Sequence, residues 1–266
     1  MGLSRAEMDL GEEAAIRERL AGMDFEVLVN CAALTNVDRC EREPEEAMQV
    51  NAAAVGTMAE ICARRGARCI HVSTDYVFDG TKTTPYEEED AARPLSRYGE
   101  SKRRGEELLQ AASERHLVAR VSWVFGPDRM SFLDQIVERA MKEERVVAIA
   151  DKVSVPTYTL DAAEMLWAVI ERPEIAGILH VCNAGECTWQ EYGQYALDCA
   201  VAAGMPLRTR TVEPISLAEM TGFVAQRPVY TPLATGKLAG ATGITPRPWR
   251  SAVEEYVRET IATRTR

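Results

Sequence analysis

Short runs rich in Val, Ile, Leu and Cys alternate along this chain with longer stretches in which apolar residues recur every three or four positions. The runs at 25–31 (FEVLVNC), 68–73 (RCIHVS), 116–123, 145–149 (RVVAI) and 177–182 (GILHVC) read as strands. Segments 12–20, 43–65, 98–112, 132–141, 160–171, 189–203 and 251–263 read as helices. Within 43–65, Met48, Ala52, Val55, Met58 and Ile61 fall roughly on one face. Apolar strands alternating with helices point to an α/β fold, a parallel sheet covered on both faces. No internal repeat or low-complexity tract interrupts the alternation. The longest stretch without periodicity is 79–97 (DGTKTTPYEEEDAARPLSR), and a loop of that length is more often functional than idle.

Composition narrows the function classes. At about 150 residues per domain, 266 residues allow one or two domains with a sizeable core. Against 31 Lys and Arg stand 41 Asp and Glu, a net charge of −10. A chain so acidic has no broad basic surface for nucleic acid, although one small phosphate pocket stays compatible with it. No run approaches 18 uninterrupted apolar residues, so no transmembrane helix is expected. The first nine residues lack a basic region followed by an apolar run, so no signal peptide is visible. The seven cysteines are odd in number and form no CxxC pair. They read as buried reduced thiols of a cytoplasmic protein. His71, His116 and His180 are scattered, and no metal site is expected.

The candidate chemistry lies at Tyr98-Gly99-Glu100-Ser101-Lys102, with Ser73-Thr74-Asp75 upstream. Tyr98 and Lys102 are four apart, so a helix sets them on one face. A phenol titrates near 10 unless a neighbouring ammonium favours the phenolate, which makes Tyr98 a workable general acid or base. A hydroxyl at the preceding strand end can then hydrogen-bond a reacting carbonyl. Alone, YxxxK also describes an ordinary solvated helix face.

The ordered set STDYVFDG (73–80), PLSRYGESK (94–102) and RVSWVFGP (120–127) resembles the extended short-chain dehydrogenase/reductases, and among them the dTDP-4-dehydrorhamnose reductase family. VLVNCAALTNVDRCE (27–41), SVPTYT (154–159) and QRPVYTPLATGKL (226–238) extend the likeness over nearly the whole chain. The resemblance implies a Rossmann-like doubly wound sheet in 1–150. It places a smaller, mainly substrate-binding domain in 151–266, with some elements returning to the first. It implies reduction of a 4-keto nucleotide-sugar by NADPH or NADH, most simply dTDP-4-dehydro-L-rhamnose to dTDP-L-rhamnose. Association of identical copies is compatible with it.

Residue by residue, the resemblance puts Thr74 where a hydroxyl polarises the sugar ketone, followed by Asp75. Tyr98 becomes the proton donor, and Lys102 the group that tunes Tyr98 and holds the nicotinamide ribose. Asn30, Cys31, Ala32 and Ala33 match the segment whose backbone passes the cofactor. Asp9 matches an acidic residue beside the adenine. Trp123 and Val124 flank the nicotinamide and sugar, and Arg227 lies near the substrate. Plainer readings stay open for three of these: Trp123 as core, Asp9 as a helix cap, Arg227 as a loop anchor. The chain departs from the family in carrying Ser154 where Gly is usual, Thr231 where Ser is usual, and Ala234 where Asp is frequent. These weaken dTDP-rhamnose more than nucleotide-sugars in general.

One expected motif is missing. A dinucleotide-binding fold uses a Gly-rich turn between its first strand and helix to admit the pyrophosphate. No GxGxxG or GxxGxxG occurs in the sequence, and 2–10 (GLSRAEMDL) matches the segment after the family's second strand. A first strand–helix unit of roughly 30 residues therefore has no counterpart. The expected account is a start lying upstream, since the catalytic positions are intact. The rival is a binding or regulatory protein on the same scaffold, as in the β subunit of methionine adenosyltransferase. On their own, these residues are expected to bind dinucleotide far more weakly than a complete reductase, to leave an apolar cleft, and to self-associate. Titration of cofactor fluorescence checks the first point, and micromolar affinity would overturn it.

Overall fold

The computed structural model describes residues 1–264. The chain begins with α1 (Glu13–Ala21), β1 (Val27–Asn30), α2 (Val37–Arg42), α3 (Pro44–Met48), α4 (Ala54–Arg65), β2 (Arg68–Thr74) and α5 (Arg97–Ala112). There follow β3 (Leu117–Val121), β4 (Val124–Phe125), α6 (Phe132–Lys142), β5 (Val146–Ile149), β6 (Val153–Ser154), β7 (Thr157–Tyr158), α7 (Thr159–Ile170) and β8 (Gly177–His180). The last elements are β9 (Cys187–Thr188), α8 (Trp189–Ala202), β10 (Val212–Ile215), α9 (Gly236–Thr242), α10 (Trp249–Tyr256) and α11 (Ala262–Arg264).

The main sheet is parallel, in the order β1-β2-β3-β8. Alternation along the strands divides its side chains between two cores. Cys69 and Val118 face Ile16, Leu20, Val55, Met58 and Leu109 of α1, α4 and α5. Ile70, Leu117 and Ala119 face Met165 and Val169 of α7 and Leu238 of α9. A third core gathers Phe125, Leu133, Ile136, Tyr158, Tyr192, Trp249 and Tyr256, around the two-stranded sheet of β5 and β10. Residues 125–148 thus contribute to the third core, while β8, from beyond position 150, closes the main sheet. Among the described residues β1 pairs only with β2, and Val29 on it is 37% exposed.

Several elements differ from the sequence pattern for local reasons. The helix expected over 43–65 is interrupted by a π turn at Gln49–Ala53, whose wider spacing turns Met48 off the apolar face to 41% exposure. The strand expected to reach position 123 stops at Val121, and Trp123 takes a left-handed φ of 39°. The helix expected over 251–263 starts at Trp249 and carries a second π turn, Val257–Ile261. The 79–97 loop is irregular but anchored. Tyr86 stacks on Phe78 at 4.1 Å and its N–H donates to the Pro232 carbonyl, while buried Glu88 accepts from the His180 N–H.

Two glycines allow α5 to dock closely. A Cβ at Gly99 would collide with the Tyr76 carbonyl and Pro94, and one at Gly105 with the Asn51 carbonyl. Ser96 caps the helix by accepting from the Gly99 N–H at 3.3 Å. No helix among the described residues is long and apolar enough to cross a membrane.

The three histidines are buried and all are held below their ordinary 6.5, chiefly by burial. His180 falls to about 3, because burial is reinforced by Arg120. Its Nδ1 pairs with the Ala234 carbonyl and its Nε2 has no partner among the described residues. The unfolded chain takes up these protons near 6.5, so stability is present above that pH and lost as pH falls toward the folded value. The urea midpoint is expected to fall between pH ~7 and ~5. His180→Gln should flatten that slope, and an unchanged slope would count against His180.

Candidate active site

The carboxyl ends of parallel strands are where α/β sheets place ligands. Here β1 ends at Asn30 and β2 at Thr74, and α5 brings Tyr98 and Lys102 to the same place. Thr74 Oγ1 accepts the Tyr76 N–H at 3.2 Å and donates to Asp75 Oδ1 at 3.2 Å, with the Tyr98 phenol beside it. Asp75 is 2% exposed, and its Oδ2 accepts from Ser154 Oγ at 3.0 Å and Thr231 Oγ1 at 2.6 Å. Ser154 also meets Ser122 Oγ at 2.5 Å. The Ser154 and Thr231 hydroxyls, read in the sequence only as departures, are thus the partners of the buried carboxylate.

Electrostatics differ from the sequence expectation. Burial raises the Tyr98 phenol well above its usual value, Thr74 lowers it and Asp75 raises it further. Lys102 is not what acts on the phenol in this structure. Its amine is buried and directed to His71 Nε2 at 2.9 Å and the Val72 carbonyl at 2.7 Å. Burial also brings Lys102 down to about 7, with Glu106 and Cys31 opposing.

The other sequence candidates spread around this centre. Ala32 is exposed and Ala33 half-buried on the turn after β1, with Cys31 exposed beside them. Asp9 accepts the Gly11 N–H at 2.9 Å and pairs with Arg5, so it orders the turn before α1. Arg227 is engaged by Asp38 at 2.9 Å and its guanidinium lies over Phe223. Trp123 packs against Trp189 and Tyr192 beside exposed Val124, and its buried Nε1 has no partner among the described residues. Its left-handed φ is strain of the kind concentrated at functional sites.

Sequence reading missed Lys152. It is fully buried, donates to the Pro228 carbonyl at 2.6 Å, and lies over the rings of Tyr76 and Trp123. Burial lowers it to about 8, against the field of Asp75. A lysine in ADKVSV gives no periodic signal, because only the fold brings 152 to 75 and 228. Asp38 was missed likewise, since its partner is distant in sequence.

The sequence matches the family described as RmlD substrate binding domain over residues 1–261. It is 36% identical over 268 residues to the dTDP-4-dehydrorhamnose reductase of Mycolicibacterium smegmatis, covering 100% of this chain and 79% of that protein. The chain belongs to the dTDP-4-dehydrorhamnose reductase family. It is also 34% identical to a probable dTDP-4,6-dihydroxy-2-methyloxan-3-one 4-ketoreductase of Streptomyces antibioticus, covering 98% of this chain and 86% of that one. The solved dTDP-4-dehydrorhamnose reductase of Bacillus anthracis in complex with NADP superimposes with a TM-score of 0.90 at 27% identity, covering 97% and 89%. The family's Rossmann-like architecture, with its smaller C-terminal unit, is the one described above.

The residues present fit the nicotinamide half of such a dinucleotide. Small Ala32 and Ala33 leave backbone approachable, and the buried Ser73 hydroxyl has no partner among the described residues. The pyrophosphate finds no Gly-rich turn in this sequence.

Proposed function

We propose that this chain reduces a 4-keto nucleotide-sugar with NAD(P)H, taking dTDP-4-dehydro-L-rhamnose to dTDP-L-rhamnose. The observation that carries the reading is the hydroxyl pair of Thr74 and Tyr98 at the end of β2, with the buried amine of Lys102 one helical turn on. Asn30, Cys31, Ala32, Ala33 and Lys102 would hold the nicotinamide side, Asp9 the adenine side, and Trp123 and Arg227 the sugar-nucleotide. A bound nicotinamide supplies the hydride.

The protein's own part is the proton. Asp75 already accepts from Ser154 and Thr231, so Thr74 can withdraw its hydrogen bond and offer it to a ketone without stranding the carboxylate. Tyr98, uncharged at neutral pH because burial raises it, still carries the proton that a developing alkoxide needs. Burial of Thr74, Asp75 and Lys102 excludes water and strengthens each of these interactions. Arg227, neutralised by Asp38, would act on substrate by shape and position more than by free charge.

The test is NADPH consumption with dTDP-4-dehydrorhamnose, measured on this chain and on an upstream-extended version. Turnover in either supports the reading. Nucleotide-sugar binding without turnover in both would favour the regulatory alternative.

A further inference from the structure

Three segments that meet at the site share one buried cation. Lys152, just before β6, is 0% exposed. Its Nζ donates to the Pro228 carbonyl at 2.6 Å and lies 5.1 Å from the centre of the Tyr76 ring and 5.9 Å from that of Trp123. At such distances a cation is attracted to a π face. An ammonium has three N–H donors and nothing that accepts. One goes to the carbonyl, and the two rings face the rest. Among the described residues no carboxylate pairs with it, and Asp75 reaches it only through its field.

Each partner of Lys152 borders the catalytic centre. Tyr76 stands edge-on to Tyr98, with ring centres 5.7 Å apart, and its N–H donates to Thr74 Oγ1. Trp123 has a φ of 39°, a backbone region that tryptophan rarely adopts, and such strain persists only where the surroundings over-determine it. Trp189 and Tyr192 pack on its indole, and Lys152 adds a charge over the ring. Pro228 follows Arg227, whose charge is engaged by Asp38.

We propose that Lys152 is a positioning residue for the reduction, its ammonium drawing Tyr76, Trp123 and the Pro228 carbonyl together into the wall against which the sugar-nucleotide lies. An uncharged side chain of similar length would fill the space without attracting either ring, so the effect belongs to the charge and not to packing alone. The inference rests on reading Trp123 and Arg227 as facing the substrate.

Burial brings Lys152 down to about 8, with Asp75 opposing and Arg227 assisting, so it is charged below that pH and neutral above it. The charged and titratable groups facing it are Asp75 and Tyr76 at the end of β2, and Arg227 with its partner Asp38. Asp151, next in the chain, accepts the Leu217 N–H instead.

Fluorine NMR of the full chain labelled with fluorotryptophan tests this, the Trp123 signal being identified by its loss in Trp123→Phe. That signal is expected to shift with pH around a midpoint of about 8. Lys152→Met and Lys152→Gln both remove the charge, and glutamine keeps an N–H for Pro228. In both, the Trp123 signal should stay where the parent's arrives at high pH and no longer move. In an active, dinucleotide-binding form, both should raise KM for the nucleotide-sugar about tenfold and lower kcat less. A parent signal indifferent to pH overturns the proposal, as does a transition that survives in Lys152→Met. So does a Lys152→Gln signal fixed at the parent's low-pH position, since the hydrogen bond alone would then do the positioning. A loss confined to kcat overturns it as well. The fluorine measurement needs neither cofactor nor turnover, so a failure to reduce any keto-sugar would count against the reductase reading and not against Lys152.

Discussion

Tyr98→Phe is expected to lower kcat by at least about 10²-fold in an active, dinucleotide-binding form, because general acids contribute roughly 10²–10⁴-fold. The ring packs against Tyr76 with centroids 5.7 Å apart, and phenylalanine keeps that contact. What disappears is one hydroxyl, held beside Thr74 in a water-poor site. Thermal stability and cofactor affinity should therefore change little while turnover collapses. Lys102→Met should behave differently, losing turnover and cofactor affinity together, and Thr74→Val should fall between the two. Retention of more than about a tenth of kcat in Tyr98→Phe would remove it as proton donor, given the minimum expected of a general acid.

The sequence made the strands and the long helices legible because their apolar residues keep a period over many positions. Val27–Asn30, Arg68–Thr74 and Arg97–Ala112 lie within two residues of where periodicity puts them. Short elements escaped for the opposite reason. Val37–Arg42 is defined by the Asn36 cap and not by a pattern, and Val212–Ile215 pairs with a strand more than sixty positions earlier. In the site, Tyr98 and Lys102 were readable from helical spacing, whereas the direction of the Lys102 amine was not. That direction depends on His71, which sequence alone shows only as one histidine in a strand-like run. Charge partners follow the same rule: Asp38 and Arg227 meet across most of the chain, so no local spacing announces them.

Glu106→Gln is expected to be among the most destabilising single changes near the site. Glu106 and Arg120 form a bidentate pair, 3.0 Å and 2.7 Å, with side chains 4% and 3% exposed. Arg120 also lies over Phe78 at 4.9 Å, and its Nη1 has no partner among the described residues. With the carboxylate gone, a buried guanidinium keeps its charge without compensation. Breaking a buried pair from one side costs about 3–5 kcal/mol, which for a chain of this size lowers Tm by roughly 10 °C. The exposed pair Arg145–Glu213 provides the contrast, since its loss should cost at most about 1 kcal/mol. Replacing Glu106 and Arg120 together by leucine and methionine should recover much of the loss, because an apolar pair leaves no stranded charge. A second consequence separates this pair from a purely structural one. The Glu106 carboxylate is the main charge opposing the burial of Lys102, so Glu106→Gln should move the Lys102 midpoint below about 7. Calorimetry and lysine titration on the same variant read the two effects independently. A Tm within a degree or two of the parent would show that Arg120 finds water or another acceptor, and that the pair does not hold α5 to β3.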